Sequence, residues 1–431
     1  MREDIKERIK LIKCGMVPEG YRTTNQGIMS FDFEEIELSE IGEFKNGINF
    51  SKGNGDNVVQ FLGVGDFGEL STLNNTDNLD KINVEASDEQ LSSYFLRDDD
   101  IVFVRSNGSK ELVGRNLLVK NPADRVVYSG FCIRYRMHDN DKHTSMSYIN
   151  AWLENGALKA MLKSENRGTN INNLNQEILR KIKIYIPSLG EQEKILKVLD
   201  GYNDIILKLE NLIENKIQQK NGLCQNLLTG KKRLPGFDDE WCIWKLSNAL
   251  KERKKYSEKD GTYELVTLAK EGIIPKTNRY DREHLVKTED KEYKVTYIDD
   301  ICYNPANLKF GVICRNTYGD AIFSPIYVTF EVKKECNVDY MAQLLTRNEF
   351  IKKIRKYEEG TVYERMAVKP EDFLRYEIIL PSYEEQCAIA KILELADKEI
   401  YLLKEKLHNI MQEKKAILNL LLKGIVRVDM V

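Results

Sequence analysis

Arginine, lysine, asparagine and glutamine side chains can bond in pairs to the edges of guanine and adenine. In this chain they gather in polar loops rather than in any catalytic constellation. One loop runs Arg105-Ser106-Asn107-Gly108-Ser109-Lys110 and leads to Arg115; another runs Asn304-Pro305-Ala306-Asn307-Leu308-Lys309 and leads to Arg315. Each follows an Asp-Asp-Ile triplet (Asp99-Asp100-Ile101 and Asp299-Asp300-Ile301), so the two loops stand in matching places. Lys45, Asn46, Lys52 and Asn54 are further base-reading candidates in the first half, and Lys276, Asn278, Arg279 and Tyr280 in the second. For any single one of these residues an ordinary solvated turn is the plain alternative. Arg167 and Arg365 could touch phosphates, or pair with the nearby Glu165 and Glu364.

Enzyme motifs fail on their context. Gly63-Val64-Gly65-Asp66-Phe67-Gly68 matches G-x-G-x-x-G after a strand pattern, but no amphipathic helix follows, which argues against a dinucleotide site. Asn304-Pro305-Ala306-Asn307 lacks the second proline and the aromatic of an adenine-methylating motif. Gly230-Lys231-Lys232 lacks the first glycine and the hydroxyl of a phosphate-binding P-loop. His138, His143, His284 and His408 are scattered, and the eight cysteines form no C-x-x-C pair, so no metal site is expected.

The elements that must carry these loops come from a chain of 431 residues, enough for two to four domains. Lys+Arg 65 against Asp+Glu 68 gives a net charge of −3, so attraction to a polyanion must arise from local patches. The start is charged at helical spacing without an apolar leader, and no long apolar run occurs; the expectation is a cytoplasmic, reduced protein without membrane contact.

Compared with itself at a shift of 194 residues, the chain repeats: residues 184–234 and 378–428 share 17 identities without a gap. Each copy opens with a β-like run closed by Pro-Ser (Pro187-Ser188; Pro381-Ser382). Each continues as a long helical pattern that stops at Gly230 or Gly424. Ser188 with Glu191, and Ser382 with Glu385, have the spacing of a capping box. The apolar seam steps by four and three through Ile195, Leu199, Tyr202, Ile206, Leu209 and Ile213, then through Lys216 and Lys220 to Leu223 and Leu227. The second seam reads Ile389, Leu393, Ala396, Ile400, Leu403, Leu407, Ile410, Lys414, Ile417 and Leu421. A 3.5-residue period predicts a two-helix coiled coil, with Lys220 and Lys414 at equivalent register-setting positions; two amphipathic helices buried in separate domains would be the simpler reading. Between the repeats, short β-type runs such as 58–62, 101–104 and 326–330 alternate with turns, with helical stretches at 146–163 and 339–357. The weaker echo between these two domains includes a Gly-Thr near each end, Gly168-Thr169 and Gly360-Thr361.

The paired Pro-Ser-x-x-Glu-Gln openings (Pro187, Ser188, Glu191, Gln192; Pro381, Ser382, Glu385, Gln386) resemble the specificity subunits of type I restriction-modification systems. Leu227-Leu228-Thr229-Gly230-Lys231-Lys232-Arg233-Leu234-Pro235-Gly236-Phe237 and Val17-Pro18-Glu19-Gly20-Tyr21 carry the same likeness, which covers essentially the whole chain. The resemblance implies an α+β fold with a pseudo-twofold internal repeat. Two target-recognition domains would alternate with two long helices that pair as an antiparallel coiled coil. The expected segments are an N-terminal helical piece (1–24), a first recognition domain (25–186), a central helix (187–234), a second recognition domain (235–380) and a distal helix (381–431). It further implies a non-catalytic reader of a bipartite double-stranded DNA target. Its partners would be two methyltransferase subunits and a restriction subunit, with S-adenosylmethionine and ATP/Mg held only by those partners and no cofactor in this chain. The Glu-Gln helix starts could then meet the methyltransferase instead of capping. A helix of about 39 residues would be roughly 58 Å long, the span of roughly 17 stacked base pairs, so insertions in both helices should lengthen the unread spacer. A freestanding two-domain DNA-binding regulator and a coiled-coil protein scaffold are the alternatives from other classes.

Overall fold

The computed structural model describes residues 3–49, 57–67, 71–106, 112–139, 143–156, 174–259, 261–276, 292–358 and 367–428. It divides into two compact units, residues 1–208 with 407–431, and residues 209–406. Each unit therefore owns half of each long helix, whereas the sequence segments set the helices apart from the domains.

In the first unit, a five-stranded sheet runs in the order Gly42–Asn46, Cys132–Met137, Ile101–Val104, Asn116–Val119, Thr72–Leu73. Ile101-Val102-Phe103-Val104 is apolar throughout because both of its faces are covered, the pattern of a strand buried on two sides. Ile101 and Phe103 enter one core with the helix Met146–Glu154, while Val102 and Val104 enter a second, under a three-stranded sheet built from Val126–Tyr128, Asn57–Leu62 and Lys81–Val84. The first core also takes Ile195 and Leu199 from the central helix and Leu418, Leu421 and Leu422 from the C-terminal helix.

The second unit repeats the plan. Its four-stranded sheet runs Leu250–Glu252, Val328–Val332, Ile301–Tyr303, Ile313–Arg315. Ile301 and Tyr303 face a core shared with Leu227, Leu228, Ile389 and Leu393, and Cys302 points to the other side against Val266 and Phe323.

The long helices span Leu189–Leu227 and Tyr383–Leu422, 39 and 40 residues. Within the first unit, the Tyr202 hydroxyl donates to Glu413 at 3.0 Å and the Lys414 ammonium to Asn203 at 2.7 Å. Within the second, Lys216 pairs with Glu399 at 2.7 Å and Lys220 with Asp397 at 2.6 Å. In the second unit the step from 216 to 220 on one helix meets a step from 399 down to 397 on the other, so the pairing there is antiparallel. Every residue of the expected seams is buried or half-buried except Leu223, which is exposed while the adjacent Cys224 turns inward.

Three local expectations shift. The run 326–330 becomes the strand Val328–Val332, with Ile326 left in the preceding turn. The helical stretch 339–357 breaks at Thr346 into Val338–Leu345 and Asn348–Ile354. The stretch 146–163 forms a helix over Met146–Glu154, and 157–163 lie outside the described residues, as do both Gly-Thr pairs. After Leu62, residues Val64–Asp66 form a single 3₁₀ turn, so the glycine-rich stretch opens on no long helix there.

Candidate nucleic-acid interface

Strand register decides which loops meet. Asn46 lies opposite Ile133, Val104 opposite Cys132, and Phe103 opposite Asn116. Lys45, Asn46, Arg105, Ser106 and Arg115 therefore converge on one end of the first five-stranded sheet. The backbone N–H of Arg105 donates to the Phe131 carbonyl at 2.7 Å, tying the 105–106 segment to the middle of that end. Asn46 is exposed, while Lys45 is half-buried with its ammonium 4.1 Å from the centre of the Tyr94 ring. Burial and the neighbouring Arg134 together hold the Lys45 pKa below its usual value. Lys52, Asn54, Asn107 and Lys110 lie outside the described residues, as do Asn278, Arg279, Tyr280, Arg167 and Arg365.

In the second unit, Tyr303 faces both Val328 and Ile313, so Asn307 and Lys309 emerge at the corresponding sheet end. Lys309 is exposed, its ammonium 5.0 Å from the Phe310 ring centre. Asn304 is buried, and its side-chain oxygen accepts the N–H groups of Ala306 and Asn307 at 3.1 and 3.3 Å, an Asx turn that shapes the loop. Arg315 sits at the opposite end of the sheet, across from Ile301, where Leu118 sits in the first unit. Its guanidinium pairs with Asp299 at 2.7 Å and with Asp339. Matching Arg115 to Arg315 by loop order thus fails, because the second hairpin loop is shorter and its returning strand carries the arginine inward. Lys276 is exposed at the end of an edge strand of the second unit's other sheet, its N–H donating to the Leu265 carbonyl.

The Asp-Asp-Ile echo is a shared piece of construction. Asp99 and Asp299 both adopt left-handed backbone, at φ 68° and 71°. Asp100 and Asp300 both accept an N–H three residues back, from Arg97 at 2.7 Å and Tyr297 at 2.8 Å. Asp100 is clamped by Arg136 at 2.6 and 2.7 Å, Asp300 by Arg253 at 3.0 and 3.1 Å, so the same carboxylate takes its arginine from a different strand in each unit.

Along the first two strands of this sheet, from Lys45 toward the opposite end, Arg97, Arg134 and Arg136 line a cleft of about 440 Å³ with Glu43 and His138. Arg134 is 1% exposed and bonds the Glu43 carboxylate at 3.0 Å and the Ser93 carbonyl at 3.2 Å. The alternation Arg134-Tyr135-Arg136 on a strand was the sequence signal for this cationic face.

In each unit the first turn of one long helix is fastened by the same contacts to the segment that follows the end of the other. Arg427 donates two bonds to the Glu191 carboxylate, both at 2.5 Å, and its guanidinium lies 5.4 Å from the Phe33 ring centre. In the other unit Arg233 donates two to Glu385, both at 2.8 Å, and lies 5.6 Å from the Trp241 ring centre. Arg427 also reaches Asp32 at 3.0 Å, and the Trp241 indole N–H donates to Glu385 at 3.1 Å. The Ser382 hydroxyl accepts the Glu385 N–H at 3.4 Å, but both glutamates turn to an arginine, so the reciprocal capping box does not form. Gln192 and Gln386, both buried, donate to the carbonyls of Pro187 and Pro381 and accept bonds at the starts of the helices Met146–Glu154 and Val338–Leu345.

Among the described residues no group of side chains could hold a metal ion, and no helix is long and apolar enough to cross a membrane.

The family model described as type I restriction modification DNA specificity domain matches residues 31–219. A Methanocaldococcus jannaschii protein described as type I restriction enzyme MjaX specificity subunit is 24% identical over 445 aligned positions, covering 95% of this chain and 97% of its own. The MjaVIII specificity subunit of the same organism is 26% identical, covering 63% of this chain and 68% of its own. A solved chain of a type I restriction-modification system superposes with TM-score 0.58 at 15% identity, covering 92% of this chain and 99% of that one, and shares the fold. Residues 31–219 thus match a type I restriction modification DNA specificity domain, and over nearly its whole length the chain is similar to a specificity subunit of a type I restriction enzyme.

Proposed function

We propose that the chain reads a bipartite double-stranded DNA target, one half-site per recognition domain. In this reading it recruits two methyltransferase subunits and a restriction subunit without performing catalysis itself. The observation that carries this reading is the doubled construction: equivalent Glu191–Arg427 and Glu385–Arg233 pairs at the ends of the long helices, one in each unit, accompany two sheets of one plan that end in different loops. A reader of two unlike half-sites needs a constant mount and two independent reading surfaces. Lys45, Asn46, Arg105, Ser106 and Arg115 would serve the first half-site, and Asn307 and Lys309 the second, with Lys276 at the flank. The cleft of Lys45, Arg97 and Arg136 would take backbone phosphates, which position a duplex without specifying its sequence. Asn304 and Arg315 act as loop and strand supports. S-adenosylmethionine and ATP/Mg belong on the partner subunits, and the complex works in the cytoplasm.

The test is modified-base sequencing of the source genome with the gene intact and deleted. Loss of methylation from one two-part motif is the expected result. Replacing Asn307 and Lys309 by alanine should then relax one half of that motif, and replacing Arg105 and Ser106 the other. An unchanged methylome in a strain that expresses the methyltransferase partner would overturn the reading.

A further inference from the structure

In each unit a tight turn leads into the strand that lies second in its recognition sheet. In Ser129-Gly130-Phe131-Cys132 the Cys132 N–H donates to the Ser129 carbonyl at 2.8 Å; in Ser324-Pro325-Ile326-Tyr327 the Tyr327 N–H donates to the Ser324 carbonyl at 3.1 Å. Register makes the turns equivalent. Tyr135 lies opposite Ile101 and Phe330 opposite Ile301, and four residues back from each stand Phe131 and Ile326. The third position of such a turn favours glycine, asparagine or another small polar residue. Here both third residues are large and apolar and face solvent, Phe131 at 57% exposure and Ile326 at 61%.

We propose that Phe131 and Ile326 are the apolar base-contacting residues of the two half-sites, each pressing against bases of the target duplex. The inference rests on the DNA-reading role assigned above to each sheet end. Phe131 stands between two candidate loops: its carbonyl accepts the Arg105 N–H, and the Gly47 N–H donates to the carbonyl of the next residue, Cys132, at 3.0 Å. Ile326 lies two residues before Val328, which pairs with Tyr303, so it shares the sheet end with Asn307 and Lys309.

The mount of Phe131 is stiff. The Ser129 hydroxyl accepts the Phe131 N–H at 3.1 Å, and the Gly130 N–H donates to the Ile48 carbonyl at 2.8 Å. A Cβ on Gly130 would come within 2.1 Å of the Asn49 side-chain oxygen, so any larger residue there would have to displace the Asn49 side chain. An exposed apolar group at a sheet end that also carries Arg, Lys or Asn side chains, Phe131 in one unit and Ile326 with the 62% exposed Phe310 in the other, suits DNA, where phenylalanine touches thymine methyl groups and Phe or Ile can press between base steps. A protein partner would call for a broad contiguous apolar patch. Phenylalanine in one copy and isoleucine in the other fit two half-sites of unlike sequence.

The experiment uses the full chain in complex with its modification subunits, and fluorescence anisotropy with a duplex carrying the methylated motif and with a scrambled duplex. Phe131→Ala and Ile326→Ala should each weaken motif binding roughly ten- to hundredfold, the scale of one lost base contact, and leave scrambled-duplex binding unchanged. Each variant should loosen methylation at only one half of the motif. Val58→Ala, at a 48% exposed apolar site on the strand Asn57–Leu62, should change neither. Matching thermal melts verify folding, and Phe131→Leu and Ile326→Leu should retain most of the affinity. Wild-type discrimination kept in full by both alanine variants overturns this inference and leaves the DNA-reading role standing. A wild-type complex that cannot tell motif from scrambled duplex removes that role, and this inference with it.

Discussion

Glu191 and Glu385 stand at the same turn of the two long helices, and each meets an arginine far away in sequence, 236 and 152 residues off, yet the two sites are not equally sealed. The Glu385 side chain is 1% exposed and holds Arg233 and the Trp241 indole, whereas Glu191 is 11% exposed and shares Arg427 with Asp32. The glutamines invert the order. Gln192 makes bonds to Pro187, His143, Thr144 and Ser145, while Gln386 bonds Pro381 and Asn337. One framework is therefore anchored chiefly by an ion pair in the second unit and by a buried amide in the first. At the sheet ends almost no side chain is shared. The fixed contacts lie at the ends of the long helices, and variation collects where the sheets present their loops, as expected of a mount that must keep its geometry while its reading surface changes.

The sharpest way to break this comparison is at the ion pairs. Arg233→Ala strands a buried carboxylate, a change that costs about 3–5 kcal/mol when a sealed pair is broken; Arg427→Ala leaves Glu191 closer to water and should cost clearly less. Urea unfolding followed by tryptophan fluorescence reports both, since Trp241 touches one pair and Trp152 lies in the other unit's core. Equal shifts in the two variants would show that the difference in sealing has no energetic weight. The amides should then reverse the ranking. Gln192→Ala abandons four partners and should cost about 2 kcal/mol, on the scale of buried polar groups left unsatisfied, and Gln386→Ala about half of that. Hydrogen exchange at Ser145 and Asn337 should rise in the respective variant, because those N–H groups lose their acceptor.

The helices and their pairing were legible because a 3.5-residue period survives any change in detail: the seam from Ile195 to Ile213 and from Ile389 to Leu421 is inward as read. The Asp-Asp-Ile echo was legible too, because a left-handed aspartate followed by a buried one is a local event. The arginine fastenings were missed although Glu191 and Arg233 both stand among the identities of the repeat, for the pairs cross between copies: each glutamate takes the arginine of the other copy. The capping-box spacing supplied a nearer partner that long-range charge then outbid. Loop order failed at Arg315 because two hairpins of unequal length place the same sequence offset at opposite ends of a sheet. Phe131 and Ile326 escaped notice because a search for hydrogen-bonding side chains passes over apolar residues, and the run 326–330 reads as strand.

The smallest expected effect lies on the helix seam. Lys220 bonds Asp397 at 2.6 Å with 20% of its side chain exposed, and Lys414 bonds Asn203 at 2.7 Å with 21% exposed and Glu154 at 3.6 Å. Asp397 is also held by Gln343 at 2.8 Å, so Lys220→Met leaves that carboxylate with a partner and partial access to water. Lys414→Met leaves the Glu154 carboxyl, whose pKa burial already raises, without the ammonium that opposes that rise. Partly exposed pairs of this kind contribute up to about 1 kcal/mol, and the added apolar contact along the seam offsets part of the loss. Both variants should therefore unfold within about 1 kcal/mol of the parent. Of the two, Lys414→Met should be the less stable near neutral pH and should draw level as the pH is lowered, because protonating Glu154 removes the unpaired charge. A pH-independent gap between the two variants would show that Glu154 carries no share of the difference, and that the two lysines differ only in how they pack along the seam.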